Sequence, residues 1–208
     1  MNQFANKKSF RIFAVGAIAV FSLSACSGDS NSAPTNSQSA DSMMGNGTMG
    51  SESSLSAADI MFLQMMIPHH EQAIEMSKLA SKNTSNAGVI DLANRIEAAQ
   101  QPEINLMKKL LSDAGQSDMS GHGMSHGMGD DGMMSESDMI ALASAKDAAF
   151  DALYLTGMIA HHNGAIAMAG KVSNSANSDV KTLANNIVTS QAVEITEMNN
   201  LLAEALAL

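Results

Sequence analysis

Apolar residues after residue 55 recur at intervals of four and three, the spacing that places side chains on one face of an α-helix. Along the first such segment this stripe consists of Phe62, Met66, His69, Ala73 and Met76. Ser56 precedes the stripe and can cap the helix, while the polar run 83–86 can end it. The pattern predicts a helix from about Ser56 to about Lys82, with a histidine inside its apolar face.

The same pattern occurs twice because the chain contains an internal duplication. With an offset of 92 residues, the segment 66–76 falls on 158–168, so that both contain a Met-Ile-x-His-His sequence. With an offset of 91, the segment 92–107 falls on 183–198. Each half therefore predicts one helical hairpin.

Further helix signals complete the predicted fold. The second helix should end before Gly115, and the last should begin near Asp179. The third should begin at Ser135 and extend to about Val172, either as one continuous helix or with an interruption near Lys146. Two hairpins predict an all-α four-helix bundle over residues 55–208, with a His/Met/Gly-rich loop at 116–134. Pro68 and Pro102 fall inside helices and are expected to kink them.

Polar side chains occupy core positions at one height of this bundle. The stripe of the second helix reads Ile96, Gln100, Glu103, Met107 and Leu110. Counting back from a hairpin turn near residue 85 places His69 level with Gln100 and Glu103, and the duplicated half repeats this arrangement. Unpaired polar groups are costly to bury, so these groups must bind each other, water or a metal ion. A structural hydrogen-bonded layer and a metal site both remain open, with the glutamates as ligands or as acceptors that orient imidazoles.

Composition narrows the chemistry of this layer. The chain has 208 residues, a single Cys and 18 Met. One cysteine excludes a disulfide framework, a cysteine zinc site, an iron–sulfur cluster and a CxxCH haem attachment. A net charge of −10 excludes phosphate-backbone binding, and hence nucleic acid, as a main activity. Methionine thioethers are soft donors that suit Cu(I), and those in Gly-rich segments have no core to fill. These exposed candidates are Met43, Met44, Met49, Met119, Met124, Met128, Met133 and Met134.

The amino terminus predicts export. Three basic residues precede an apolar run over 12–23, which is typical of a secretory signal and short for a membrane span. Leu23-Ser24-Ala25-Cys26 resembles a bacterial lipobox, which implies a signal peptide over 1–25 and a lipid on Cys26. An ordinary signal peptide with an incidental cysteine is the alternative. Residues 26–54 predict a flexible Ser/Gly/Met linker. The resemblance implies a lipid-anchored protein of the bacterial cell envelope, on the periplasmic face of the outer membrane in a Gram-negative host.

Two motifs resemble the signature of the ferritin-like domain of unknown function 305 family. They are Met66-Ile67-Pro68-His69-His70-Glu71-Gln72-Ala73-Ile74-Glu75-Met76 and Gln100-x-x-Glu103-Ile104-x-x-Met107, and both occur twice. The resemblance covers residues 56–208 and implies a helical bundle that binds copper or silver in the cell envelope and supports metal resistance. The second copy departs from the motif at Ala160 and at Asn163-Gly164, so equal metal affinity in the two halves is not expected.

Together these observations predict a copper-binding envelope lipoprotein that buffers, transfers or confers resistance to Cu(I) or Cu(II), with silver as a further candidate ion. The predicted metal ligands are His69, His70, His161, His162, Met66, Met76, Met158, Met168, Glu103, Glu194, Met107, Met198, His122, Met124, His126 and Met128. The expected partners are metal ions, the lipid bilayer through Cys26 and a copper-transfer protein.

Two other functions are weighed against copper binding. A ferritin-like metal oxidase would use Glu-x-x-His motifs, which the chain lacks, and Ile74 stands where a zincin would need its second histidine. No catalytic residues are therefore predicted, and we expect no enzyme. A lipid-anchored interaction module with a purely structural His/Glu layer is the main alternative.

Overall fold

A computed structural model describes residues 54–118 and 131–206, and this part of the chain is helical without strands. Its helices are α1 (Ala57–Asn83), α2 (Ala87–Asp113), α3 (Glu136–Ser144), α4 (Asp147–Gly170) and α5 (Ser178–Leu206). The all-α four-helix bundle predicted from the sequence is confirmed, with α1, α2, α4 and α5 as its long helices. The predicted signal peptide, Cys26 and most of the linker lie outside the described residues.

Side-chain caps determine where the helices begin. Ser56 and Asp59 form a reciprocal capping box at the start of α1, with Ser56 Oγ accepting from the Asp59 amide at 3.1 Å. Asn86 accepts from the first amides of α2, and Ser135 accepts from the Asp138 amide in α3. Of the two alternatives for the chain after Ser135, the structure shows the interrupted one, because α3 ends at Ser144, α4 begins at Asp147, and Asp147 adopts a φ of 48°.

The long helices pack as two hairpins, α1 with α2 and α4 with α5, which meet mainly along α1 and α4. The apolar core consists of two clusters at opposite ends of the bundle. One contains the start of α1 and the end of α2, including Phe62 and Met107, and the other contains Tyr154 and Met198. The buried histidines and glutamines occupy the height between these clusters. The core is therefore divided at mid-height by a polar layer.

The apolar residues of the predicted stripes lie in or against this core, whereas Glu103 and Glu194 are only half-buried and the last turn of α2 is displaced. In α2 the fully buried residue of the last turn is Leu111, whereas the predicted Leu110 is half-buried and packs at the edge of the cluster. A stripe extended with strict four–three spacing drifts by about 20° per seven residues in a straight helix. Over the fourteen residues from Ile96 to Leu110 this drift amounts to about 40°, and the buried face has moved from Leu110 towards Leu111.

The short helix α3 is fastened to the end of α1 by one buried side chain. Asn83 Nδ2 donates to the carbonyl oxygens of Leu142 and Ala143, at 3.3 and 3.0 Å. Its Oδ1 accepts from Lys146 Nζ at 2.6 Å. Asn83 thus satisfies the free carbonyls at the end of α3 and holds the chain at the corner that leads into α4.

No helix among the described residues is long and apolar enough to cross a bilayer.

Replacing Asn83 with alanine should lower the free energy of unfolding by about 1–3 kcal/mol, because the Leu142 and Ala143 carbonyls and the Lys146 ammonium each lose a hydrogen bond to a buried side chain. Urea denaturation followed by circular dichroism measures this loss. Asn199→Ala is the matched control, since the Asn199 amide is exposed and bonds only to its own helix. Equal stability of the two variants would contradict the role given to Asn83.

Candidate metal centre

Four histidines meet in the polar layer, and all four side chains are inaccessible to solvent. His69 and His70 come from α1, and His161 and His162 come from α4. The equivalent His69 and His161 contact each other across the two hairpins, with ring centroids 3.7 Å apart and planes inclined by 39°. Within each pair the centroids are 6.5 and 6.3 Å apart. The duplicated motif therefore forms one cluster of imidazoles rather than two separate pairs.

Each hairpin supplies a carboxylate to its own outer histidine. His70 Nε2 lies 2.8 Å from Glu103 Oε2, and His162 Nε2 lies 2.7 Å from Glu194 Oε2. These glutamates are partly exposed, at 22% and 15% of their side-chain surface. Because a carboxylate accepts, each imidazole donates from Nε2, so in the neutral ring the free lone pair is on Nδ1. In this structure the glutamates are acceptors that orient imidazoles.

His69 is oriented by a backbone group. Its Nε2 lies 2.9 Å from the carbonyl oxygen of Asp131, which can only accept, so Nε2 carries the proton. Nothing in the sequence pattern predicted this contact, because Asp131 belongs to a Gly-rich segment without periodicity. His161, the equivalent of His69 in the second half, has no such acceptor: both of its ring nitrogens lack a hydrogen-bond partner among the described residues.

The polar layer contains several buried atoms without partners in the described part of the chain. Besides the two nitrogens of His161, they include Nδ1 of His69, His70 and His162. The side-chain amide nitrogen and oxygen of Gln100 and the Oε1 of Gln191 also lack partners. Leaving such groups unpaired costs about 1–3 kcal/mol each. Lone pairs on neutral imidazoles are metal-ligand groups, and histidines that bind metals usually donate their other N–H to a carboxylate or carbonyl. The donor set therefore fits a metal ion.

Burial keeps the central imidazoles neutral. Desolvation lowers the pKa of His69 to about 4, outweighing the opposite effect of the Asp131 carbonyl. Burial lowers the pKa of His161 well below its usual value, and the neighbouring His69 lowers it further. Neutral imidazole is the form that binds metals, so these two side chains hold lone pairs at neutral pH.

Six predicted methionine ligands flank the histidines in the core. Met66, Met107 and Met168 belong to the apolar cluster on one side of the layer, and Met76, Met158 and Met198 belong to the other. All six are buried, and five of them are inaccessible. Packing explains their burial without a metal, and they line the polar layer from the apolar clusters on its two sides.

The methionines of the loop divide into two groups. Met134 was predicted to have no core to fill, and this is wrong. Its Sδ lies over Gly157, where an added Cβ would be 2.9 Å away, and the side chain packs against the cluster around Tyr154. The Gly-rich segment has a core contact because its last residues dock on the bundle. His122, Met124, His126 and Met128 lie outside the described residues.

Within residues 54–118 and 131–206, no three or more His, Cys, Asp or Glu side chains are arranged around a common point as a metal site. The imidazoles instead contact each other, Asp131 and the two glutamates. Binding through the free nitrogens would thus require the rings of His69 and His161 to separate.

Acidification should destabilise the metal-free protein between pH 6.5 and 4. The unfolded chain binds a proton at each histidine near pH 6.5, whereas folded His69 does so only near pH 4, so the unfolded state holds more protons in this window. The free energy of unfolding has its full value above pH 6.5. Below pH 6.5 it falls by up to about 1.4 kcal/mol per pH unit for each such histidine. Urea denaturation in the presence of a chelator measures the slope.

His161→Leu is the informative variant, because it removes one buried imidazole and should flatten that slope. The exposed substitution Asn199→Ala should leave it unchanged. A free energy of unfolding that is constant from pH 7 to 5 in the unmodified chain would contradict the burial argument.

Comparison with known proteins agrees with this fold and this motif. The family model described as domain of unknown function (DUF305) matches residues 59–202. The chain is 46% identical over 55 residues to the uncharacterized protein L153 of Acanthamoeba polyphaga mimivirus, a match that covers 26% of this chain and 36% of that protein's length.

Solved structures extend the similarity over most of the bundle. A candidate secreted DUF305 protein from Streptomyces coelicolor superposes with a TM-score of 0.65 at 30% identity, covering 75% of this chain and 96% of the other. CopM in its Cu(I)-bound form superposes with a TM-score of 0.58 at 29% identity, covering 68% of this chain and 93% of CopM. With a family model that spans the duplicated bundle and its histidine motifs, the chain belongs to the DUF305 family.

Proposed function

We propose that the protein binds copper ions in the bacterial cell envelope and serves in their buffering, transfer or resistance. The observation that carries this proposal is the set of buried imidazole nitrogens without partners at the centre of the bundle. A structural layer would be expected to pair such atoms, whereas a metal site needs their lone pairs free.

The ligand chemistry favours copper over other common ions. His69, His70, His161 and His162 would supply nitrogen, and Met66 and Met158, one turn before each pair, would supply sulfur. Imidazole and thioether together suit Cu(I), while Mg²⁺ and Ca²⁺ require oxygen ligands. CopM, which shares the fold, has been solved with Cu(I), Cu(II) and Ag bound. Silver is therefore a second candidate ion.

An extracytoplasmic location agrees with the predicted signal peptide and with a candidate secreted relative. A lipid on Cys26 and the linker to residue 54 would tether the bundle to a membrane. The loop residues His122, Met124, His126 and Met128 would then act as weaker capture sites that supply the buried site or a copper-transfer protein. No catalytic role is proposed for any residue.

A structural role is the second candidate. The bonds from Glu103 to His70 and from Glu194 to His162 favour it, because each ties two helices of one hairpin at a fixed height. This candidate leaves the free nitrogens of His69 and His161 without a purpose. It also predicts equal stability with and without copper, which separates the two functions experimentally.

Copper should stabilise the folded protein. An ion that binds only the folded state adds about 2.7 kcal/mol at a hundredfold excess over Kd. Thermal unfolding with and without Cu(I), and titration against a competing Cu(I) chelator, measure the effect. In a variant carrying both His69→Leu and His161→Leu the shift should vanish. The exposed substitution Asn163→Ala is the control, and a shift of equal size in all three proteins would argue against the histidine site.

The loop should change stoichiometry rather than fold. Replacing His122, Met124, His126 and Met128 with serine should reduce the number of copper ions bound per chain while leaving the helical circular dichroism signal and the tightest affinity unchanged. Metal analysis after dialysis gives the count. Residues 131–134 are left intact because they dock on the bundle. Loss of all copper binding in this variant would place the principal site in the loop instead.

A further inference from the structure

We propose that residues 131–134 form a strap that positions His69 for metal binding, and that the differences between the two halves of the chain exist to hold it. This role rests on the proposed function, since orienting an imidazole serves a purpose only if its free nitrogen binds an ion. The strap runs from Asp131, whose carbonyl accepts from His69 Nε2, to Met134, which precedes the cap of α3.

Gln72 binds one end of the strap through two hydrogen bonds. Its Nε2 donates to the Met134 carbonyl at 2.9 Å, and its Oε1 accepts from the Met134 amide at 2.8 Å. One side-chain amide therefore satisfies both backbone groups of a single residue, as a neighbouring β-strand would. Gln72 lies one turn after His69 on the same helix, so these hydrogen bonds hold the strap at a fixed position relative to the histidine.

Glycines let the other end approach α4. A Cβ on Gly164 would lie 1.5 Å from the carbonyl oxygen of Asp131, so only glycine fits beneath it. Gly132 has a φ of 77°, and a Cβ there would lie 2.1 Å from the Ala160 carbonyl. The strap thus lies directly on the α4 backbone from Ala160, the residue before His161, to Gly164, one turn after it, while its Asp131 carbonyl accepts from His69.

The contacts of the strap coincide with the departures from the duplicated motif. Gln72 and Gly164 are equivalent positions in the two halves, and so are Pro68 and Ala160. Gln72 bonds the strap while Gly164 clears space for it, and the carbonyl of Ala160 meets Gly132. The same residue at 72 and 164 could not both bind Met134 and leave room for Asp131, because a glutamine at 164 would fill the space that Asp131 occupies.

The chemical consequence concerns one proton. The Asp131 carbonyl keeps the proton of neutral His69 on Nε2, which leaves Nδ1 free, as Glu103 does for His70 and Glu194 does for His162. Three of the four imidazoles are thereby held with the same nitrogen available. His161, which has no such acceptor among the described residues, is free to change tautomer. Asp131 acts through its backbone and is a positioning residue rather than a ligand.

Two variants of the full chain test the strap. Gly164→Ala places a methyl group against the Asp131 carbonyl, and Gln72→Ala removes both bonds to Met134. The matched control is Gly170→Ala, which lies at the end of the same helix with nothing within 4 Å of the added Cβ. All three are studied first without metal by ¹⁵N NMR of the imidazoles and by amide hydrogen exchange, and then by Cu(I) titration against a competing chelator.

In both strap variants the Met134 amide should exchange at least tenfold faster, and the His69 signals should shift from the Nε2–H tautomer to a mixture while those of His70 and His162 stay unchanged. Copper affinity should fall about tenfold to a hundredfold, the range typical of removing a group that orients a metal-binding histidine. Gly170→Ala should match the unmodified chain in every measurement.

Other outcomes overturn the proposal in distinguishable ways. An unchanged His69 tautomer in the strap variants would show that Asp131 does not orient the ring. Unchanged or tighter copper binding, with the Met134 amide exposed, would show that the strap does not prepare the site. Failure of the unmodified chain to bind copper would instead remove the proposed function, and the tautomer and exchange measurements on metal-free protein would still decide whether the strap orients His69.

Discussion

Desolvation of imidazole at the centre of an apolar bundle is the constraint from which the other features of this protein follow. Four rings are buried without solvent contact, and burial alone removes the tendency of His69 and His161 to be charged at neutral pH. A bundle of this size could fill the same volume with leucine at no such cost. The layer therefore weakens the metal-free protein relative to an apolar core and leaves imidazole nitrogens without partners in the described part of the chain.

The bundle and the height of its polar layer were predictable from the sequence because both depend on local signals. Ser56 and Ser135 mark helix starts through their own side-chain hydrogen bonds, and counting along a hairpin places His69 opposite Gln100 without any structure. Whether the helix after Ser135 is interrupted near Lys146 stayed open, because no Gly or Pro there marks a break. The sequence pattern predicted Leu110 rather than Leu111 in the core, because a fixed four–three spacing does not match a helix with 3.6 residues per turn.

The remaining part of the site could not be predicted because it depends on tertiary contacts of irregular chain. Whether Glu103 faces an ion or His70 is decided by side-chain rotamers, which the helical period leaves open. The position of Asp131 follows from backbone packing on Gly164, and a Gly-rich segment gives no periodic signal for such docking. Met134 was predicted to have no core contact for the same reason. One signal was present, however: the motif differs between the halves at positions 72 and 164, and unequal residues in a duplicated core indicate unequal surroundings.

The pairing of Gln72 with Gly164 bears on why two hairpins share one polypeptide. Two identical hairpins that associate as separate subunits must present the same side chain at both related positions, so neither could offer an amide on one face and bare backbone on the other. Covalent fusion lifts this restriction. Each copy can then mutate independently, and one connecting segment can bind the side-chain amide of Gln72 in one half while it packs on the bare backbone of Gly164 in the other.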